Sequence, residues 1–241
     1  MIIKNLSVIA IAVFFLAGSS QAEEAGKHLF ILSGQSNMSR LNPKLDFIPA
    51  VESEFGKNNV LVVHDAQPAQ QIKRWYKQWK STDGQTPEGA GDLYDRLMNK
   101  VNAAINGAKP ETITFIWMQG ESDSQNDGML YESRLLGLFE QIKSDLKRTD
   151  INFVIGRIDD FAEPNKVFAK NWEMIRITQV KVGESGSRYV WVDTDDLNDG
   201  LNNQGKEIKN DLHFSVEGCR NLGQRFAAKA IELIKKNSAG N

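Results

Sequence analysis

The stretch Phe30-Ile31-Leu32-Ser33-Gly34-Gln35-Ser36-Asn37-Met38 begins apolar and then breaks into small polar residues around one glycine. Such a segment is a buried strand that stops at a loop, and its serine stands at the edge of a sheet. The carboxyl ends of parallel strands open onto the binding crevice of α/β proteins, so Ser36 sits where a nucleophile can work. The competing account is a plain strand exit in which Ser36 caps the next segment, as serine commonly does.

Outward from this stretch, apolar strand segments occur at 28–33, 59–64, 112–118, 152–158 and 188–193. Helical spacing separates them. Leu93, Leu97, Val101 and Ile105 fall four apart, and Leu135, Leu138, Phe139, Ile142 and Leu146 form a second stripe introduced by Asn126-Asp127-Gly128. Val167, Phe168, Trp172 and Ile175 mark a third after Pro164. Val216, Cys219, Leu222, Phe226, Ala230 and Leu233 mark the last, with Ser215 as its N-cap.

Strands alternating with helices require crossovers. The expected fold is therefore α/β: a three-layer α/β/α sandwich around a doubly wound, flavodoxin-like parallel sheet of five strands. Residues 65–91 fit neither period and carry Pro68, Trp75, Tyr76, Trp79 and Pro87. They are expected to form a long loop with a short helical piece over one end of the sheet, and such loops in compact domains tend to be functional. Trp75, Tyr76 and Trp79 offer flat apolar faces, or else pack the loop onto the sheet.

Residues 1–22 have the form of an export signal, with Lys4 near the start, an apolar run from Val8 to Leu16 and Ser20-Gln21-Ala22 as a small-x-small cleavage site. The run is shorter than the ~20 apolar residues a membrane-spanning helix needs. The expectation is a periplasmic or secreted protein, with 23–241 as one domain and no membrane in the mature form. Cys219 is the one cysteine, which leaves no intramolecular disulfide, and its place on an apolar stripe suits a small buried side chain. A net charge of -2, with neither sign in a long run, offers nucleic acid or an anionic membrane little to hold.

A serine nucleophile needs a base, and histidine is the usual one. Of three histidines, His28 begins the first strand at the end opposite Ser36, while His64 closes the second strand as a crevice residue or a satisfied strand end. His213 stands in Lys209-Asn210-Asp211-Leu212-His213-Phe214-Ser215, beside a carboxylate and directly before the last helix, and is the preferred base. The third strand ends in Trp117-Met118-Gln119-Gly120-Glu121-Ser122-Asp123, repeating the pattern at Ser36. First and third strands are neighbours in the doubly wound order, so Gln119 is expected to face Ser36 and donate its amide to a developing oxyanion. Gly89-Ala90-Gly91 supplies either a backbone N–H for that oxyanion or an ordinary loop-to-helix junction. Glu121 and Asp123 also suit a metal or a glycosidase pair, but no second ligand cluster accompanies them, and neither metal nor cofactor is expected. Asp193, Asp195 and Asp196 suit a solvated turn better than a calcium loop.

Gly34-Gln35-Ser36-Asn37-Met38, Trp117-x-Gln119-Gly120-Glu121-x-Asp123 and Asp211-Leu212-His213-Phe214-Ser215 together resemble three blocks of the SGNH hydrolases. The branch in question holds the carbohydrate acetylesterases of family six and the sialate O-acetylesterases, and the similarity runs in order from 28 to about 235. It implies metal-free hydrolysis of O-acetyl groups on sugars, with Ser36 as nucleophile, His213 as base, and Gln119, Gly89 and the Ser36 N–H at the oxyanion. Gln35, Asn37, Glu121 and Asn210 are supporting residues. The commonest SGNH pattern has aspartate three residues before the histidine, where this chain has Asn210; Asp211 lies two before. Asp211 is taken as the catalytic acid that orients His213; the alternatives are Asn210 and a dyad helped by Glu121. Met38 stands where a Gly-x-Ser-x-Gly elbow has its last glycine, which argues against an ordinary α/β-hydrolase.

The expected function is an exported serine esterase that removes acetyl from a glycan: sialic acid, xylan or another acetylated polymer. The alternatives are a noncatalytic glycan-binding protein on the same scaffold, and a short-chain lipase or thioesterase.

Overall fold

The computed structural model describes residues 26–238 apart from 82, 126 and 127. The expected export signal at 1–22, and Asn126 and Asp127 of the segment expected to open a helix, lie outside the described residues.

Strands β1 (His28–Gly34), β2 (Val60–Ala66), β3 (Thr112–Met118), β4 (Asn152–Gly156) and β5 (Tyr189–Val192) form one sheet in the order β2-β1-β3-β4-β5. Every pairing is parallel, which is the doubly wound arrangement that alternating strands and helices require. Helices α1 (Ser36–Arg40), α2 (Phe47–Phe55), α3 (Asp92–Ile105), α4 (Tyr131–Leu146), α5 (Lys166–Gly183) and α6 (Val216–Ser238) connect and cover the strands. A small antiparallel pair, β6 (Gly200–Leu201) with β7 (Glu207–Ile208), stands apart from the sheet.

The register assigns the two faces. Ile31 pairs with Phe115, so Phe30 and Phe115 point to opposite sides. Phe30 meets Phe47 of α2, whereas Phe115 meets Phe139 of α4. Helices α2 and α6 pack together on the first face, and α4 packs with α5 on the second. Leu29, Phe30, Ile31 and Leu32 are consequently buried on both sides of β1, each worth about 1.5–3 kcal/mol relative to exposure.

The expected helical stripes face this core through Leu93, Leu97 and Val101 in α3, Leu135, Leu138, Phe139 and Ile142 in α4, and Leu222, Phe226, Ala230 and Leu233 in α6. Ser215 accepts the Gly218 N–H at 3.0 Å and caps α6 as expected. Val216 lies outside that stripe, 43% exposed.

One open alternative closes and one expectation changes. Trp75 is fully buried edge-on against Trp117, Tyr76 lies against Gly137, and the Arg134 guanidinium stacks 4.4 Å from the Trp79 ring. These rings fasten the 67–91 loop to β3 and α4 rather than presenting faces to a ligand, and its helical piece is a single turn at Ile72–Arg74. The acidic run is not simply solvated. Arg157 bridges Asp193 and Asp195, Arg176 binds Asp195, and Arg225 binds Asp196.

Candidate active site

β1 and β3 close on each other at their carboxyl ends. Gly34 has φ 147°, and a Cβ there would stand 1.9 Å from the Met118 carbonyl oxygen. Only glycine fits a left-handed backbone at so close an approach. The Gln35 N–H then donates to that same carbonyl at 2.9 Å, and the chain turns directly into α1 with Ser36 as its first residue. The N–H groups of a first helical turn have no partner within the helix, so they remain available to a ligand.

A cleft of about 400 Å³ opens here, with Gln35, Ser36, Arg40, Ala69, Glu121 and His213 among its walls. Ser36 is nearly buried and His213 half-buried. Asn37 ties the two together. Its Oδ1 accepts the Phe214 N–H at 3.1 Å and its Nδ2 donates to the Leu212 carbonyl at 3.3 Å, so one buried amide grips the backbone on both sides of His213. The same Nδ2 donates to Glu121 Oε1 at 3.1 Å, which connects the β3 end to this clamp.

Burial lowers the affinity of the His213 ring for a proton, the nearby Arg40 charge lowers it further, and Asp211 opposes both. Asp211 does not hydrogen-bond the imidazole. Its Oδ1 lies 4.0 Å from His213 Nδ1 and instead accepts the backbone N–H of His213 at 2.9 Å, as an aspartate does when it closes its own turn. Asn210, with φ 45°, sends its Oδ1 to the Ala162 N–H at 3.3 Å and does not serve the ring either.

Gln119 lies deeper than its sequence position suggests. It is fully buried, and its Nε2 donates to Asp123 Oδ2 at 2.6 Å, to the Gln70 carbonyl at 3.1 Å and to Gln35 Oε1 at 3.3 Å, so three acceptors share the two N–H bonds of the amide. The expected exposure to an oxyanion is thereby corrected: Gln119 is beneath the wall rather than in it. Gly89 is not brought to the cleft; the position of its missing Cβ is bordered by Arg74 and Asp92. The loop instead passes the cleft at Pro68 and Ala69. Ala69 has φ 56°, and its N–H has no hydrogen-bond partner among the described residues. A proline two residues past the β2 end is the only sequence sign of this turn.

Carboxyl groups gather at the cleft wall and behind it. Desolvation pushes Glu121 up to about 7, Asp123 up to about 6 and Asp159 up to about 8, the last with a second contribution from Glu121. Glu121 Oε2 and Asp159 Oδ2 have no hydrogen-bond partner among the described residues. Asp159 follows the fourth strand in Arg157-Ile158-Asp159, so its place at a strand end is the signal that finds it. His64 lies within β2 and donates its Nε2–H to the Met38 carbonyl at 2.9 Å, and His28 pairs with Thr112 at the far end.

A serine and a histidine line one cleft at the switch point of a doubly wound sheet, the place where α/β proteins bind their ligands. The chain belongs to a family of esterases: a family model described as carbohydrate esterase, sialic acid-specific acetylesterase matches residues 39–232. No curated protein matches the chain. Among solved structures, a protein from Arabidopsis thaliana superposes with TM-score 0.62 at 18% identity over 86% of this chain and 98% of its own. NanS superposes with TM-score 0.61 at 14% identity over 88% of this chain and 98% of its own. A carbohydrate acetylesterase from Xanthomonas citri gives TM-score 0.58 at 14% identity, covering 86% of this chain and 56% of that protein. At these identities the superpositions establish the shared fold.

Proposed function

We propose that this esterase removes O-acetyl groups from a glycan by serine acyl transfer. The observation that carries the proposal is the Asn37 clamp, which holds the His213 backbone against the helix that begins with Ser36. Ser36 Oγ attacks the acetyl carbonyl carbon while His213 takes its proton. The oxyanion is held by the N–H groups of Ser36 and Ala69. As the tetrahedral species collapses, the bond to the sugar oxygen breaks and His213 returns the proton to that oxygen, leaving acetyl on Ser36. A water then repeats the sequence with His213 as base and releases acetate. Asp211 acts through its charge beside the ring and through the turn it closes, so the working unit is a dyad.

The small cleft suits a short acyl group, with Leu212 and Trp172 as its apolar walls. The family description favours an acetylated sialic acid as substrate. Residues 1–22 support action outside the cytoplasm. Acetate release from a panel of acetylated glycans and aryl esters, by the parent and by Ser36→Ala, tests this. Turnover that survives in Ser36→Ala, or that rises from acetate to octanoate, would refute it.

A further inference from the structure

The buried glutamine and the glutamine on the wall are joined, and the direction of that join can be read atom by atom. The Ile72 backbone N–H donates to Asp123 Oδ2 at 2.8 Å, and a backbone N–H can only donate. Asp123 Oδ2 and the Gln70 carbonyl are both acceptors for Gln119 Nε2, so the NH₂ end of Gln119 is oriented toward them. The same Nε2 lies 3.3 Å from Gln35 Oε1, and the Ser122 backbone N–H donates to that oxygen at 3.3 Å. Two donors thus hold the oxygen of the Gln35 amide inward, and its Nε2 has no partner among the described residues. Gln35 is a cleft residue and the immediate neighbour of Ser36.

We infer that Gln35 Nε2, not Gln119, is the side-chain donor to the acyl oxygen, and that Asp123 and Gln119 are positioning residues that set the direction of its amide. The inference rests on acyl transfer at Ser36. It gives the oxyanion a third donor that is already oriented before substrate arrives, which is the condition under which such a donor helps the transition state most.

The test compares parent, Gln35→Met, Gln35→Glu and Ser36→Ala on an aryl acetate, with thermal melting as the check on folding. Gln35→Met keeps the length of the side chain and removes the donor. It should lower kcat by ~10²-fold with KM within about threefold, the range for one oxyanion donor. Gln35→Glu keeps an oxygen for Gln119 and Ser122 but places a carboxylate toward the acyl oxygen. It should be slower than Gln35→Met at pH 8, and the ratio of the two should rise as pH falls and the carboxyl becomes a donor; dividing one by the other cancels the titration of His213. Gln119→Met should lower kcat in the parent but add less than about threefold to Gln35→Met, because both act along one chain. Parental kcat in Gln35→Met, a loss confined to KM, a pH-independent ratio or fully additive losses would overturn the inference. Activity in Ser36→Ala would remove its foundation instead, so the two failures are distinguishable.

Discussion

The ends of β1 and β3 look alike in sequence, each an apolar strand followed by a polar run around a glycine, yet they do different work. The β1 end comes to the surface of the cleft with Gln35 and Ser36. At the β3 end Glu121 and Ser122 reach the cleft wall, but Gln119 and Asp123 stay beneath it, where the Gln119 amide nitrogen donates to Asp123 and to the Gln70 carbonyl. Depth, and not residue type, separates a group that can touch substrate from one that orients its neighbour.

The largest contrast is expected at the serine and histidine. Ser36→Ala and His213→Ala should each lower kcat by up to ~10⁶, with the double variant little worse than either, because they act as one unit. If His213→Ala retains a tenth of parental turnover, the base is elsewhere.

Asn37→Ala should come next. It removes three hydrogen bonds that join the β1 end, the β3 end and the His213 loop, and leaves buried partners unsatisfied at ~1–3 kcal/mol each. The expected outcome is a fall in kcat by ~10²-fold or more together with a lower melting temperature; a stability loss with unchanged kcat would mean the clamp does not position His213.

Asp211→Asn should lower kcat less than about tenfold, far short of the ~10⁴ seen when a hydrogen-bonded triad acid is neutralised. The pH profile gives its sign. The neutral imidazole is the active form, so kcat/KM rises with pH through the His213 titration. Asp211 favours the imidazolium, and Arg40 disfavours it. The midpoint should therefore move down in Asp211→Asn and up in Arg40→Gln, and shifts of the opposite sign would contradict the geometry.

The smallest effect concerns stability. Asp159 binds its proton up to about pH 8 in the folded chain, against an ordinary value of 3.8. The folded state thus holds more protons than the unfolded one across this window, and stability contributed by the neutral carboxyl declines as pH rises through it. Asp159→Asn should flatten the decline between pH 5 and 8 in denaturant titrations, whereas an unchanged slope would show that Asp159 is ionised throughout.

The sheet, its order and helices α3 to α6 were legible from apolar period and from the alternation of strand with helix, whereas α2, which sets Phe47 against Phe30, was not read. The meeting of Ser36 and His213 in one cleft also follows from their positions, one at a strand end and the other beside a helix start. Gln119 was misplaced because nothing in a single chain shows that Ile72 and Gln70 return from a distant loop to enclose it. Asp211 was assigned to the imidazole by proximity in sequence, where a two-residue spacing equally permits the turn it forms with its own backbone. Ala69 escaped notice because positive φ is announced by glycine and this turn uses alanine. Helix α1 is too short to show a period at all.

The contact of Gly34 with Met118 also bears on how the chain tolerates change. With a carbonyl oxygen 1.9 Å from where a side chain would begin, every codon substitution at this position must open the β1–β3 junction before it can be accommodated. That makes residue 34 a diagnostic position in relatives of this chain. A sequence that keeps the serine and histidine but replaces this glycine has either moved the strand that presents the serine or retired the site.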